Sequence, residues 1–241
     1  MQHNLPLVHA EGIRLARTGC DGIFHVRVID KGAKNRLSWD RFVRLQAAAE
    51  QIKTNLTAAC SVLDVGGYEG ALAFFLVESG HSVDVLDPET TGGTATCINA
   101  ADFSYEVVTA VDVLEHISPE QRQTAIFECA RVASKLLVLN YPCRESAPAQ
   151  ELMLKLTNNA FVRQHVEWEL PDSNWVVGEL AEAGFDCQII PHTNLGIWLG
   201  QYLVQNLLPE VAPALNAALI ARHSAEPFSS PLYHLVVAIR D

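Results

Sequence analysis

The chain has 241 residues, 49% of them hydrophobic and 19% charged, a balance that suits one α/β domain with additions and a large core. Its formal net charge of −11 comes without any basic stripe, which argues against a nucleic-acid partner, because phosphate backbones reward clustered Lys and Arg. No apolar run approaches the roughly 20 residues that span a bilayer, and the opening MQHNLPLVHAEG lacks the regions of a signal peptide, so a cytoplasmic setting away from membranes is expected.

Residues 1–38 are mixed, with Phe24 to Ile29 (FHVRVI) alternating like a short strand that Asp30-Lys31-Gly32 would end. Ser38 reads as a helix N-cap, and Trp39 to Lys53 as an amphipathic helix, so residues 1–58 form an N-terminal extension and helix. From there strand and helix alternate. Cys60 to Val65 is a buried strand, Gly66 to Gly70 a turn, Ala71 to Ser79 a helix closed by Gly80, and Ser82 to Leu86 a second strand stopped by Asp87-Pro88. Val107 to Val111 is a third strand, Ser118 to Ser134 a helix opened by Pro119, and Lys135 to Asn140 a fourth strand. Ser173 to Ala183 reads as a helix, Phe185 to Ile190 as a strand, and Leu232 to Arg240 as the terminal strand, reached by an antiparallel return.

Such alternation implies a mostly parallel sheet with helices on both faces in a single domain. Residues 143–172 and 192–230 stand outside it and read as helical cap insertions shaping a substrate pocket. The apolar stripe from Leu195 to Leu208 reads as core or as a homodimer face. None of the six cysteines forms a C-x-x-C pair, which removes zinc-ribbon and thioredoxin-like chemistry; most read as small core residues.

The run Val62-Leu63-Asp64-Val65-Gly66-Gly67-Tyr68-Glu69-Gly70 carries the chemistry. A strand, a glycine-rich turn and a helix let the backbone approach a ligand closely and aim N–H groups at it. Asp64 stands two residues before Gly66, where a dinucleotide would place its pyrophosphate; a carboxylate there repels phosphate and favours a cation. S-adenosylmethionine carries a sulfonium and an ammonium and no phosphate. The glycine spacing also breaks the G-x-G-x-x-G fingerprint at Tyr68 and Ala71. Asp87, at the end of the next strand, is placed to accept ribose hydroxyls.

This run resembles the glycine-rich first motif of class I S-adenosylmethionine-dependent methyltransferases, of the form D-x-G-x-G-x-G. Tyr105 to Ile117 (YEVVTAVDVLEHI) resembles the strand-four signature of that family's small-molecule members. The resemblance covers residues 39–142 and, loosely, the last strand. It implies a Rossmann-like three-layer αβα sandwich with a seven-stranded sheet, the last strand antiparallel, and S-adenosyl-L-methionine as cofactor. On that reading Asp64, Gly66 and Gly70 line the methionine end, with Gly67 and Tyr68 completing the turn, and Asp87 binds the ribose. Asp102 and Phe103 lie near the adenine, and Asp112 and Val113 border the site. Tyr68 replaces the family's middle glycine, and is expected to keep φ below zero.

The expected reaction is methyl transfer to a small acceptor, with His116 as general base and Tyr141 and His165 in reserve. Glu115 and His116 read equally as a capped helix start and as active-site residues. Being adjacent, they should diverge, so no metal is expected. Trp168, Trp175, Trp198 and Tyr202 are candidate substrate contacts. Two other readings are open: an inactive cofactor-binding or partner subunit, motivated by Tyr68, and a nicotinamide-dependent oxidoreductase, disfavoured by the glycine spacing.

Overall fold

The computed structural model describes residues 11–225 and 230–240. The N-terminal dodecapeptide read above therefore lies outside the described residues, except for its last two positions.

Four strands build the parallel body of one sheet. β3 (Ser61–Val65) lies between β4 (Ser82–Leu86) and β5 (Tyr105–Val111), and β6 (Ala133–Pro142) pairs in parallel with β5. β8 (Pro231–Arg240) runs antiparallel to β6 and to β7 (Phe185–Asn194), so β7 points the same way as the body. The expected antiparallel last strand is present.

The seven-strand expectation is corrected to eight among the described residues, in the order β1-β2-β4-β3-β5-β6-β8-β7. A hairpin of β1 (Ile13–Arg17) and β2 (Ile23–Val28) occupies the edge beside β4, with β2 antiparallel to it. The physical reason is chain length. A parallel crossover needs a dozen or more residues besides the strand it delivers. The segment between Leu86 and Tyr105 is short, rich in Thr and Gly, and without apolar periodicity. It forms turns, and an earlier part of the chain fills the edge.

Strand side chains alternate between two helical layers. Val62, Val107, Leu136 and Val237 pack on α1 (Trp39–Asn55) and α2 (Ala73–Leu76). Leu63, Val108, Leu137 and Val236 pack on α3 (Pro119–Val132) and α6 (Ser173–Glu182). The helix expected over Ala71–Ser79 is a short α-turn followed by a 3-10 turn.

Each insertion supplies two helices: α4 (Ala147–Thr157) and α5 (Ala160–Glu167) after β6, and α7 (Leu195–Leu207) and α8 (Ala212–His223) after β7. They share a third core with the N-terminal turns of α1, built on Trp39, Phe42, Met153, Val162, Trp198 and Tyr233. Trp198 is therefore core rather than an open substrate contact. Trp39 N–H ties α1 to α8 through Asn216 Oδ1 at 2.9 Å. All six cysteines are free thiols: Cys60, Cys129 and Cys143 are buried, Cys187 half-buried, and Cys20 and Cys97 exposed. No helix among the described residues is long and apolar enough to cross a membrane.

Candidate active site

The glycine-rich turn closes over a buried carboxylate. Asp64 is 1% exposed; its Oδ1 accepts from Thr109 Oγ1 at 2.8 Å, and its Oδ2 has no hydrogen-bond partner. Burial, opposed by the Thr109 bond, pushes the Asp64 carboxyl up to about 7. Two glycines make this packing possible. Gly66 has φ of 70°, which suits a residue without Cβ. A Cβ on Gly67 would fall 2.2 Å from Asp64 Oδ2, so the turn touches the acid directly. A bidentate pair from Arg41 of α1 to Glu69, at 2.7 and 2.9 Å, holds the turn in place. Val113 packs beneath Gly66.

Asp87 does the work of a cap and of a clamp. Its Oδ1 accepts from Glu89 N and Thr90 N at 2.9 and 3.1 Å, and its Oδ2 accepts from Tyr68 N at 3.2 Å. A carboxylate has about four acceptor sites, which leaves one, on Oδ2, for a further hydroxyl. Thr90 Oγ1 donates to Tyr68 O at 2.6 Å. These bonds grip both ends of Tyr68 and turn it into the left-handed region, with φ of 54° rather than the negative value expected. Left-handed backbone is disfavoured by Cβ, so Tyr68→Gly should stabilise the fold by about 1 kcal/mol in urea denaturation. A loss of stability instead would mean that the ring, not the backbone, is what this position needs.

Asp102 and Phe103 are not part of this crevice. They precede β5, whereas the glycine turn follows β3, so roughly 20 Å of parallel sheet separates them. Asp102 pairs with Arg131 at 2.8 Å, and Phe103 stacks under the Arg240 guanidinium at 4.9 Å. They brace the opposite edge, and their assignment to the adenine is withdrawn.

A second polar centre lies at the C-terminal ends of β5 and β6, under the cap. Arg44 of α1, buried, pairs with Asp40 at 3.1 Å and with Asp112, and its guanidinium sits 5.2 Å from the Tyr233 ring centre. Asp112 N–H donates to Asn140 O at 2.9 Å, and its left-handed φ of 62° starts the turn that carries Val113, Leu114, Glu115 and His116. That turn is 3-10 rather than α-helical. Glu115 is fully buried at 0% exposure, and neither carboxylate oxygen has a hydrogen-bond partner. Burial raises its pKa.

His116 meets α5. Its Nδ1 bonds to Gln164 Oε1 at 2.7 Å, and its Nε2 faces His165 Nε2 at 3.4 Å. His165 Nδ1 in turn bonds to Gln150 Oε1 of α4 at 3.1 Å. Burial, then His116 and the Arg44 cation, push His165 down to about 3, so its ring is neutral. An open cleft of 310 Å³ between α4 and α5 reaches His165 and is edged by Arg144, Glu151 and Glu169. Tyr141 is removed from this centre, donating to Ser173 Oγ at 3.2 Å.

Sequence reasoning missed Arg44, Gln150 and Gln164. The Asp40–Arg44 spacing is that of a solvent-facing i,i+4 pair, and nothing local reveals that the cap covers it.

No family model matches the sequence, and no curated protein sequence matches it significantly. Solved structures do match in fold. A candidate sarcosine dimethylglycine methyltransferase from Galdieria sulphuraria superposes with a TM-score of 0.55 at 13% identity, covering 83% of this chain and 86% of that one. Magnesium protoporphyrin IX methyltransferase from Synechocystis, with bound S-adenosylhomocysteine, gives 0.52 at 14%, covering 84% and 86%. The (4+2)-cyclase SpnF gives 0.50 at 16%, covering 86% and 84%. The chain has the Rossmann-like α/β fold of class I methyltransferases, and the cyclase is similar to it in the same way.

Proposed function

We propose that the chain transfers the methyl group of S-adenosyl-L-methionine to a small-molecule acceptor held beneath its cap. The observation that carries this reading is the unpartnered, buried Oδ2 of Asp64 under the Gly66-Gly67 turn. An anion set in a cradle of backbone suits the ammonium and sulfonium end of the cofactor, and repels a pyrophosphate. Asp64, Gly66, Gly67, Tyr68 and Gly70 hold that end, Asp87 offers its remaining acceptor site to the ribose, and Asp112 and Val113 border the crevice. The cofactor supplies an activated methyl group for in-line displacement. The chain's share is to fix acceptor and donor in line and exclude water. Where the acceptor atom carries a proton, His116 is the base that receives it, His165 being held neutral beside it.

Calorimetric titration with S-adenosylhomocysteine tests the cofactor site. Micromolar binding that Asp87→Ala abolishes is the expected result; no binding by the unaltered protein would leave a scaffold without this cofactor, the partner-subunit reading. The affinity should also depend on pH. Asp64 attracts the ammonium only when ionised, and its carboxyl titrates near 7, so protonation at lower pH removes the attraction. From pH 8 to pH 6 the affinity should fall about tenfold, and Asp64→Asn should flatten the profile. A profile that stays steep in Asp64→Asn would assign the proton to another group.

A further inference from the structure

We infer that Glu115, His116 and His165 form a binding site for a divalent first-row transition-metal ion of the zinc class, which the sequence reading excluded. The ligand atoms of the three residues lie within 4.8 Å of one another. The divergence expected of neighbouring residues fails because Glu115 and His116 sit on a 3-10 turn, and α5 brings His165 to meet them.

The hydrogen bonds of the two rings agree with this geometry. Each imidazole binds an amide oxygen through Nδ1, His116 to Gln164 and His165 to Gln150. An amide oxygen only accepts, so each Nδ1 carries the hydrogen and each Nε2 presents a bare lone pair. In that tautomer the two Nε2 atoms face one another at 3.4 Å beside the buried Glu115 carboxyl, whose oxygens have no hydrogen-bond partner. The two imidazole nitrogens and the Glu115 carboxyl converge in a dry site, where a metal ion would displace the proton that burial favours on Glu115. A hydrogen bond between the rings would draw them to about 2.7–3.2 Å. The observed 3.4 Å matches the edge of a tetrahedron with metal–nitrogen bonds of about 2.05 Å.

The surroundings also fit. Ligating histidines characteristically donate their other N–H to a carbonyl or carboxylate, which is the part played by Gln150 and Gln164. Two imidazoles and one carboxylate are a ligand set for Zn²⁺ or Fe²⁺ that leaves a coordination position open. The cations nearest Glu115, Arg44 and Arg122, form no hydrogen bond with it: Arg44 is engaged by Asp40 and Asp112, and Arg122 by the carbonyls of Leu114, Ile117, Trp168 and Glu169. On the cleft that reaches His165, Glu151 and Glu169 outnumber Arg144, giving a cation a net acidic approach.

On the methyl-transfer reading, and resting on it, the ion would hold the acceptor's oxygen or nitrogen and favour its deprotonated form, with His116 a ligand rather than a base. The site itself is tested without that reading. Protein stripped with a chelator is titrated with Zn²⁺ by calorimetry and with Co²⁺ by visible absorption, no S-adenosyl compound being present. One equivalent should bind, with the intense absorption of low-coordinate Co²⁺. Glu115→Gln and His165→Asn should each weaken binding about 100-fold, and Gln150→Ala, which only frees a ring, about tenfold. A second trio, Cys143, Glu145 and His234, also brings ligand atoms within 4.8 Å, so Cys143→Ser is the control and should leave binding unchanged. Each variant's far-ultraviolet dichroism, recorded without metal, separates lost ligation from lost fold. Absence of saturable Zn²⁺ binding, or binding that Cys143→Ser removes and Glu115→Gln leaves intact, overturns the assignment. S-adenosylhomocysteine binding without metal binding would leave the cofactor site standing and remove only this one.

Discussion

Arg44→Met should destabilise the protein by about 3–5 kcal/mol, lowering Tm by about 10 °C in calorimetry. Arg44 lies in the covered half of α1, with Asp40 and Asp112 as its ion-pair partners and Tyr233 against its guanidinium. Removing the cation leaves the buried Asp40 carboxylate and the half-buried Asp112 without their partner, and uncompensated buried charge is more expensive than a lost contact. Methionine fills much of the volume, so the loss reports charge rather than a cavity. The added changes Asp40→Asn and Asp112→Asn should restore most of the lost stability, because they neutralise what Arg44 balanced. If Arg44→Met melted with the parent protein, the centre would be wet and its charges solvated.

Gly67→Ala should abolish S-adenosylhomocysteine binding and destabilise the fold by about 1–3 kcal/mol. The methyl would meet Asp64 Oδ2 at 2.2 Å and Val85 Cγ2 at 3.0 Å, both buried side chains. Asp64 can yield only by leaving Thr109 and carrying its carboxylate away from the turn. Gly178→Ala in α6 and Gly200→Ala in α7 are matched controls, since a Cβ at either meets nothing within 4 Å. Those two should gain about 0.5–1 kcal/mol each by shedding unfolded-state entropy. An affinity in Gly67→Ala equal to the parent's would show that the turn is not where the cofactor's cationic end sits.

Legibility in the sequence followed the range of the forces at work. β3, its turn, β4, α3 and β8 were readable because apolar runs, Gly80, Pro119 and the Asp87-Pro88 stop act within a few residues. Asp64 was readable because a carboxylate before a glycine turn changes what the turn can bind. Tyr68 was placed but its backbone was not, because Asp87 and Thr90 reach it from another loop. The hairpin's partner was hidden for a similar reason: β2 reads as a strand, yet which edge it joins depends on what the short segment after β4 fails to provide. Asp102 and Phe103 were carried over from the resemblance alone, and the short segment before β5 leaves them at the far end of that strand. His116 and His165 were each visible alone; only the fold of α4 and α5 over β5 shows that they face each other.

The borrowed edge strand has a consequence for how the chain is made. Ile23–Val28 leaves the ribosome well before Ser82–Leu86, the edge it must join; the His25–Asp84 contact spans 59 positions. A lone hairpin is marginal in water, so β1 and β2 have little to hold them until β3 and β4 exist. The earlier-made hairpin thus settles late, and waits for strands made after it to give it a place.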